Sequence, residues 1–389
     1  KPDKYNTCML IAFLQQLITF NGFYNEALEF VSLERIHIVC SMNPATTVGR
    51  HPLSTRFTAI VHIAYIDYPS REELVTVYAS MIEKSFETKE LAEPRFKTPK
   101  DAKKIADTMV ELYFQVKSRF GVDDHRHYLF TPRHLTAWVI GLGRYDLASE
   151  DLLDVLSYEA QRLFRDRLVD EDSAGRFDGM LNSLIKSRWS KSPDIKNQYF
   201  SCLMGASRVG GGGKVSEGKS GEGDDEGGSA RAPDPMLLRV NNSDFEQIVK
   251  DGLELYEREE RELNILLFAE VLDNIARVDR TLSKKSGSLL LVGRSGVGRR
   301  TATSLVAHMH GMQFHTLDIT NDFGKKGLHT QLKAVLQIAG VENEPCVFYV
   351  EDHHIANLSD VLETVNSLLS SGEVPGLYTH EELEPLLSP

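Results

Sequence analysis

An apolar run, SLLLV (Ser288 to Val292), leads directly into GRSGVGRRT (Gly293 to Thr301), whose last residue opens the helix-like segment TATSLVAHMHG. Strand, glycine loop and helix in that order leave few folding options. The glycines let backbone N–H groups curl around a polyphosphate, and the following helix points its positive end at the same anion. The run therefore predicts an α/β domain with a parallel sheet, flanking helices and a phosphate-binding loop. Gly293, Ser295, Gly296, Val297, Gly298, Arg299, Arg300 and Thr301 are its candidate phosphate contacts. The loop departs from G-x-x-x-x-G-K-[ST] at both reactive positions. Arg299 stands where lysine belongs, and Arg300 where the hydroxyl that binds Mg²⁺ belongs. Thr301 comes one residue late, and one helical step turns a side chain about 100° while rising about 1.5 Å. Such a loop suits holding a nucleotide better than hydrolysing it.

A second apolar strand, CVFYVED, follows the loop's helix and ends in Glu351 and Asp352. Ligands meet open α/β sheets at that end of the strand. A P-loop ATPase wants a metal-binding Asp here and then a Glu that orients the attacking water. The order is reversed, which makes Glu351 the candidate Mg²⁺ ligand. Asp352 is one methylene, about 1.5 Å, shorter than the Glu the chemistry needs.

At 389 residues the chain is too long for one ordinary core. It begins with Lys1 and carries no signal pattern, so we read it as a piece of something longer. The net charge of -12 argues against nucleic acid or an anionic membrane as partner, since both need a basic face. No apolar run approaches the roughly 20 residues needed to span a bilayer. The four cysteines are scattered, with no C-x-x-C, and read as buried or free thiols in a reducing compartment.

Four segments are expected. Residues 1–85 mix a helix, TCMLIAFLQQLITF, with two buried strands, RIHIVCSMN and AIVHIAYIDYP. They look like the second half of an α/β module. Residues 86–204 read as an all-helical subdomain. Residues 205–235 are glycine-rich, almost devoid of large apolar side chains, and read as a disordered insertion. Residues 236–389 hold two amphipathic helices, SDFEQIVKDGLELYEREE and LNILLFAEVLDNIARVDRTLS, and then the phosphate-loop module. Asn43 ends the first strand, Arg56 precedes the second, and Arg133 starts a helix in FTPRHLT. Asn43 could orient a water or a γ-phosphate and Arg56 could reach a neighbouring module's nucleotide, but by residue type alone these two read as structural and Arg133 as a surface residue. The histidines His308, His310, His315, His353 and His354 lack ligand spacing on one helix face, and no metal site is expected from them.

The blocks DKYNT, SMNP, GRHPLSTRF, HYLFTPRHLTAWVIG, LLFAEVLDNIARVDRTL and NSLLSSGEVPGLY, in this order and spacing, resemble the motor region of dynein heavy chains. The match begins within the third AAA+ module and runs into the fourth. GRSGVGRRT, SLVAHMHG and NSLLSSGEVPGLYTHEELEPLL resemble the cytoplasmic type 2 branch of intraflagellar transport. The resemblance implies AAA+ modules with an all-helical lid, ATP or ADP as ligand with Mg²⁺, and a parent ATPase that walks toward microtubule minus ends. It implies that Asn43 is a sensor-one residue, Arg56 an arginine finger for the preceding module, and Arg133 a sensor-two arginine. The implied partners are neighbouring AAA+ modules and, through other parts of the heavy chain, microtubules, dynein accessory chains and intraflagellar-transport particles. The implied location is cytoplasm, cytoskeleton and cilium. Two other readings stay open: a ring scaffold with an empty loop, and an unrelated AAA+ remodelling ATPase.

Overall fold

A computed structural model describes residues 8–43, 53–87, 89–195, 198–203, 234–318, 324–357 and 359–387. The chain divides into two units, residues 1–74 with 116–132, and residues 75–115 with 133–389. Most of the glycine-rich insertion expected at 205–235 lies outside the described residues.

In the first unit, helix α1 (Met9–Phe20) ends at Asn21, whose φ of 51° is left-handed, a conformation that asparagine tolerates well. The chain then forms a small antiparallel hairpin, β1 (Gly22–Tyr24) with β2 (Phe30–Ser32). A side chain at Gly22 would collide with the Val31 carbonyl. The short helix α2 (Thr55–Thr58) is capped by Ser54, whose hydroxyl accepts from the Phe57 N–H at 3.4 Å. Helix α3 (Arg71–Glu87) starts with a reciprocal cap: Ser70 N–H donates to Glu73 at 2.8 Å, and Glu73 N–H donates to the Ser70 hydroxyl at 3.4 Å.

The expected strands RIHIVCSMN and AIVHIAYIDYP do not pair with any strand among the described residues. Residues 35–43 form no strand and are exposed, with Val39 at 92%, and Ile66 in the second run is 89% exposed. The apolar pattern is that of a strand buried on both faces of a parallel sheet. Such a strand is stable only with neighbours that satisfy its backbone and helices that cover its faces.

The second unit begins with a helical layer: the remainder of α3, α4 (Pro99–Arg119) as far as Gln115, α5 (Pro132–Leu142) from Arg133, α6 (Leu152–Leu163) and α7 (Glu171–Trp189). Pro132 sits at the first turn of α5, where its missing N–H is not needed. Trp138, Phe164 and Phe177 are almost fully buried. The Trp138 ring lies 5.6 Å from Phe164, and its N–H donates to the Leu156 carbonyl at 3.1 Å. Strand β3 (Gln198–Ser201) then pairs antiparallel with β4 (Leu238–Asn241).

Helices α8 (Asn242–Glu259) and α9 (Ala269–Leu282) follow. The helix expected from Leu263 starts only at Ala269. Residues 261–268 form neither helix nor strand, Asn264 has a φ of 50°, and Leu266 is 82% exposed. Helix α10 (Arg299–Met309), strand β5 (Gln313–Thr316), helix α11 (Lys325–Gly340) and strand β6 (Cys346–Tyr349) form the phosphate-loop module. Helices α12 (Asp352–Asn357), α13 (Ser359–Ser371) and α14 (His380–Leu387) complete the described chain. Strands β5 and β6 pair in parallel, Gln313 opposite Cys346 and Thr316 opposite Tyr349. Phe245, Val249, Leu272, Ile275, Leu305 and Val306 make one buried cluster that ties α8 and α9 to α10. The fold class is α/β with a helical lid, and the parallel sheet is small. The expected strand SLLLV joins no ladder among the described residues. Leu291 packs on the buried cluster, whereas Leu290 and Val292 are 84% and 73% exposed. No helix among the described residues is long and apolar enough to cross a membrane.

Candidate functional site

The phosphate loop has the backbone that its glycines allow. Gly296 and Gly298 have φ of 87° and 78°, in the left-handed region. No neighbouring atom crowds them, so the need for glycine there is conformational. Gly293 is different: an added side chain would press on Val297 Cγ2 at 3.3 Å. Gly298 caps α10, whose first residues are Arg299 and Arg300 with no acidic residue in the first turn. Ser295, Val297 and Gly298 are exposed, while Arg299 and Thr301 are half-buried. Helix α10 is secured from below. Ala302 N–H donates to the Gly298 carbonyl at 2.8 Å, and the Thr303 hydroxyl to the Arg299 carbonyl at 2.8 Å.

Glu351 lies two residues beyond β6, and the fold brings it to the loop's helix. Arg300 Nη1 is 3.8 Å from Glu351 Oε1, and His353 Nδ1 is 3.2 Å from Glu351 Oε2. The backbone N–H of Glu351 donates to Nδ1 of the buried His354 at 3.1 Å. Burial, then the adjacent His353, holds the His354 imidazole below the ordinary histidine range. Burial, then the Glu351 charge, pushes the Tyr349 phenol up. Asp352 is exposed at the start of α12.

These residues do not fit Mg²⁺. A P-loop Mg²⁺ is held by a hydroxyl at the position of Arg300 and by a carboxylate at the end of the acidic strand. Here the first is a guanidinium, which offers no lone pair. The second faces that guanidinium on one oxygen and an imidazole on the other. Asn43, Arg56 and Arg133 are all exposed; the first two belong to the first unit and Arg133 to the second.

Two buried polar networks escaped sequence reasoning. In the first, Glu159 of α6, with no exposed surface, ion-pairs with Arg280 of α9 and accepts from the Tyr145 hydroxyl at 2.6 Å. Arg144 donates to the Arg280 carbonyl at 2.7 Å and to the Ser283 hydroxyl at 2.8 Å. Arg162 approaches Asp273 at 3.5 Å, and Arg277 approaches Asp166 at 3.4 Å. The lid is thereby bonded to the helix that precedes the phosphate loop. A side chain at Gly141 would overlap the Glu159 carboxylate, so that glycine makes room for the pair.

The second network centres on Asp279, fully buried in α9. It accepts from the Ser201 hydroxyl at 2.7 Å and from the Cys202 thiol at 3.1 Å, and His310 Nε2 lies 2.8 Å away. Burial and the Asp279 charge push the Cys202 thiol up to about 12. Cys202, Asp279 and His310 offer ligand atoms within 4.8 Å of one another, as do Glu351, His353 and His354. Helical spacing could not find the first group, because Cys202, Asp279 and His310 come from distant parts of the chain.

Parallel pair, glycine loop, positive helix end and acidic strand end define a P-loop α/β module preceded by a helical lid. Comparisons with known proteins agree. Residues 1–69 match the model of a P-loop containing dynein motor region, residues 77–174 that of the dynein heavy chain ATPase lid domain, and residues 263–389 that of the P-loop containing dynein motor region D4. The chain is 47% identical over 395 residues to cytoplasmic dynein 2 heavy chain 1 of Tripneustes gratilla. It is 44% identical over 401 residues to its Homo sapiens counterpart and 43% over 390 residues to that of Chlamydomonas reinhardtii. Each alignment covers 100% of this chain but only 8–9% of the relative's length. The chain belongs to the dynein heavy chain family as a segment of the motor region, spanning the third and fourth modules and the lid between them.

Proposed function

We propose that the loop Gly293 to Thr301 binds ATP or ADP as a structural and regulatory ligand, with little or no hydrolysis. The observation that carries this is the loop backbone. Gly296 and Gly298 are in left-handed conformations, and α10 begins at once with its N–H groups free for an anion. Weak hydrolysis follows from the side chains. Arg300 brings no hydroxyl, Glu351 faces Arg300, and exposed Asp352 is too short for the water-orienting Glu. Within the ring, the nucleotide would hold the fourth module's parts together and bias its geometry. The networks at Glu159 and Asp279 support a route from the lid to that site.

In this reading residues 1–85, 86–204, 205–235 and 236–389 are the end of the third module, its lid, an insertion and the fourth module. Asn43 and Arg56 act as sensor and arginine finger, and Arg133 as the sensor-two residue of the third module. The whole heavy chain is then an ATP-driven, minus-end-directed microtubule motor of retrograde intraflagellar transport in the cilium. Its tracks, accessory chains and transport particles bind outside this segment.

Equilibrium binding of a fluorescent ATP analogue tests the proposal. Saturable binding that is lost in Gly298→Val, together with no phosphate release above background, is expected. A native chain that never saturates leaves only the scaffold reading, which the missing lysine and hydroxyl favour. Turnover abolished by Arg299→Ala would overturn the non-hydrolytic part.

A further inference from the structure

We infer that the fourth-module site takes its nucleotide without a divalent cation, with Arg300 supplying the charge that Mg²⁺ supplies in an ordinary P-loop. This rests on the nucleotide-binding reading above.

The first argument is the charge placed at the start of α10. Helix N-termini carry about half a positive charge, so cations in the first turn are unfavourable there. Arg299 and Arg300 are the first two residues of α10, and no acidic residue of that turn offsets them. Sequences that break a local rule in this way do so at functional sites. A polyphosphate against the helix end turns the same two charges from a defect into its ligands.

The second argument is charge balance. An ordinary loop meets the phosphates with one lysine and one Mg²⁺. This loop carries Arg294, Arg299 and Arg300 within seven residues, the same total positive charge without a metal. Guanidinium groups grip phosphate oxygens in pairs and need not shed a tightly held water shell, as Mg²⁺ must.

The third argument is geometric. Arg300 Nη1 lies 3.8 Å from Glu351 Oε1, longer than a hydrogen bond and within ion-pair range, and Arg300 is 44% exposed. The contact is loose and the side chain is free to swing. Glu351 has a second partner in His353 at 3.2 Å, so it keeps a neighbour when Arg300 turns toward a phosphate. Arg300 thus occupies the space between strand end and loop that a metal would fill. An incoming metal there would meet a positive charge.

The test is the affinity of the purified chain for a fluorescent ADP and a fluorescent ATP analogue, in excess Mg²⁺ and in excess EDTA. We expect affinities within about threefold of each other, since a threefold change is under 1 kcal/mol. Arg300→Ser restores a hydroxyl and frees Glu351. Losing one charge-assisted contact should weaken binding in EDTA by about tenfold or more, and adding Mg²⁺ should recover most of it. Arg300 is half-exposed, and the native chain's EDTA arm needs no variant. Native binding at least about tenfold weaker in EDTA would overturn the inference while leaving the nucleotide site standing. An Arg300→Ser chain as indifferent to Mg²⁺ as the native one would also overturn it. No saturable binding in either buffer would remove the site itself.

Discussion

The lid and the apolar run at 35–43 begin from similar sequence and end in opposite states. Trp138 and Phe164 of the lid are 1% and 0% exposed, whereas Ile36 and Val39 are 59% and 92% exposed. A helix closes its hydrogen bonds within itself and needs only a face to pack, which neighbouring lid helices supply. A strand of a parallel sheet owes every backbone bond to a neighbour, and its covering helices come from elsewhere in the chain. The phosphate loop sits between these extremes. Its glycine conformations and helix cap are local and in place, while the strand that leads into it has no ladder partner among the described residues.

The contrast predicts where mutations register. The largest loss is expected from Glu159→Ala, which leaves Arg280 and Tyr145 without their buried partner. Breaking such a pair is destabilising by about 3–5 kcal/mol. Urea denaturation followed by circular dichroism checks it, and an unchanged midpoint would break the picture of the lid as the ordered half. Thiol chemistry separates the regions next. With its thiol raised to about 12, Cys202 should react with iodoacetamide near pH 8 roughly a thousandfold more slowly than an ordinary thiol. Cys40 is exposed and should be modified first. Peptide mass spectrometry over time reads both, and comparable rates would show that Asp279 and burial do not guard Cys202. A smaller effect belongs to the loop. Gly298→Ala meets no atom within 4 Å, so its penalty is purely that of a left-handed backbone, φ 78°. That amounts to about 1–2 kcal/mol, measurable in the same denaturation experiment and accompanied by weaker nucleotide binding. Smallest of all should be Val39→Ala, at about 0.5 kcal/mol or less, as for other exposed sites. A loss above about 1.5 kcal/mol would mean that the 35–43 run is packed in solution.

Much of the candidate site was legible because it is contiguous. Positive φ at Gly296 and Gly298, the helix start at Arg299 and the acids after β6 all follow from residue order and the apolar pattern. What the acids do was not legible. That Arg300 and Glu351 face each other depends on how α10 packs beside β6, a contact between residues far apart in sequence. The same holds for His310. Its own helix offers no ligand partner, and Cys202 and Asp279 reach it only through the packing of β3, α9 and α10.

Sequence alone determined the helices of the lid, the helix stop at Asn21 and start at Pro132, the phosphate loop and its double-arginine departure. Each of these is governed by torsion angles and side chains within a few residues. Tertiary structure alone decided which predicted strands find partners, which acid meets Arg300, and how Glu159 and Asp279 bond the lid to the helices around the loop. Those outcomes rest on hydrogen bonds and charges between distant segments, whose energies exist only once burial has brought them together and removed the water between them.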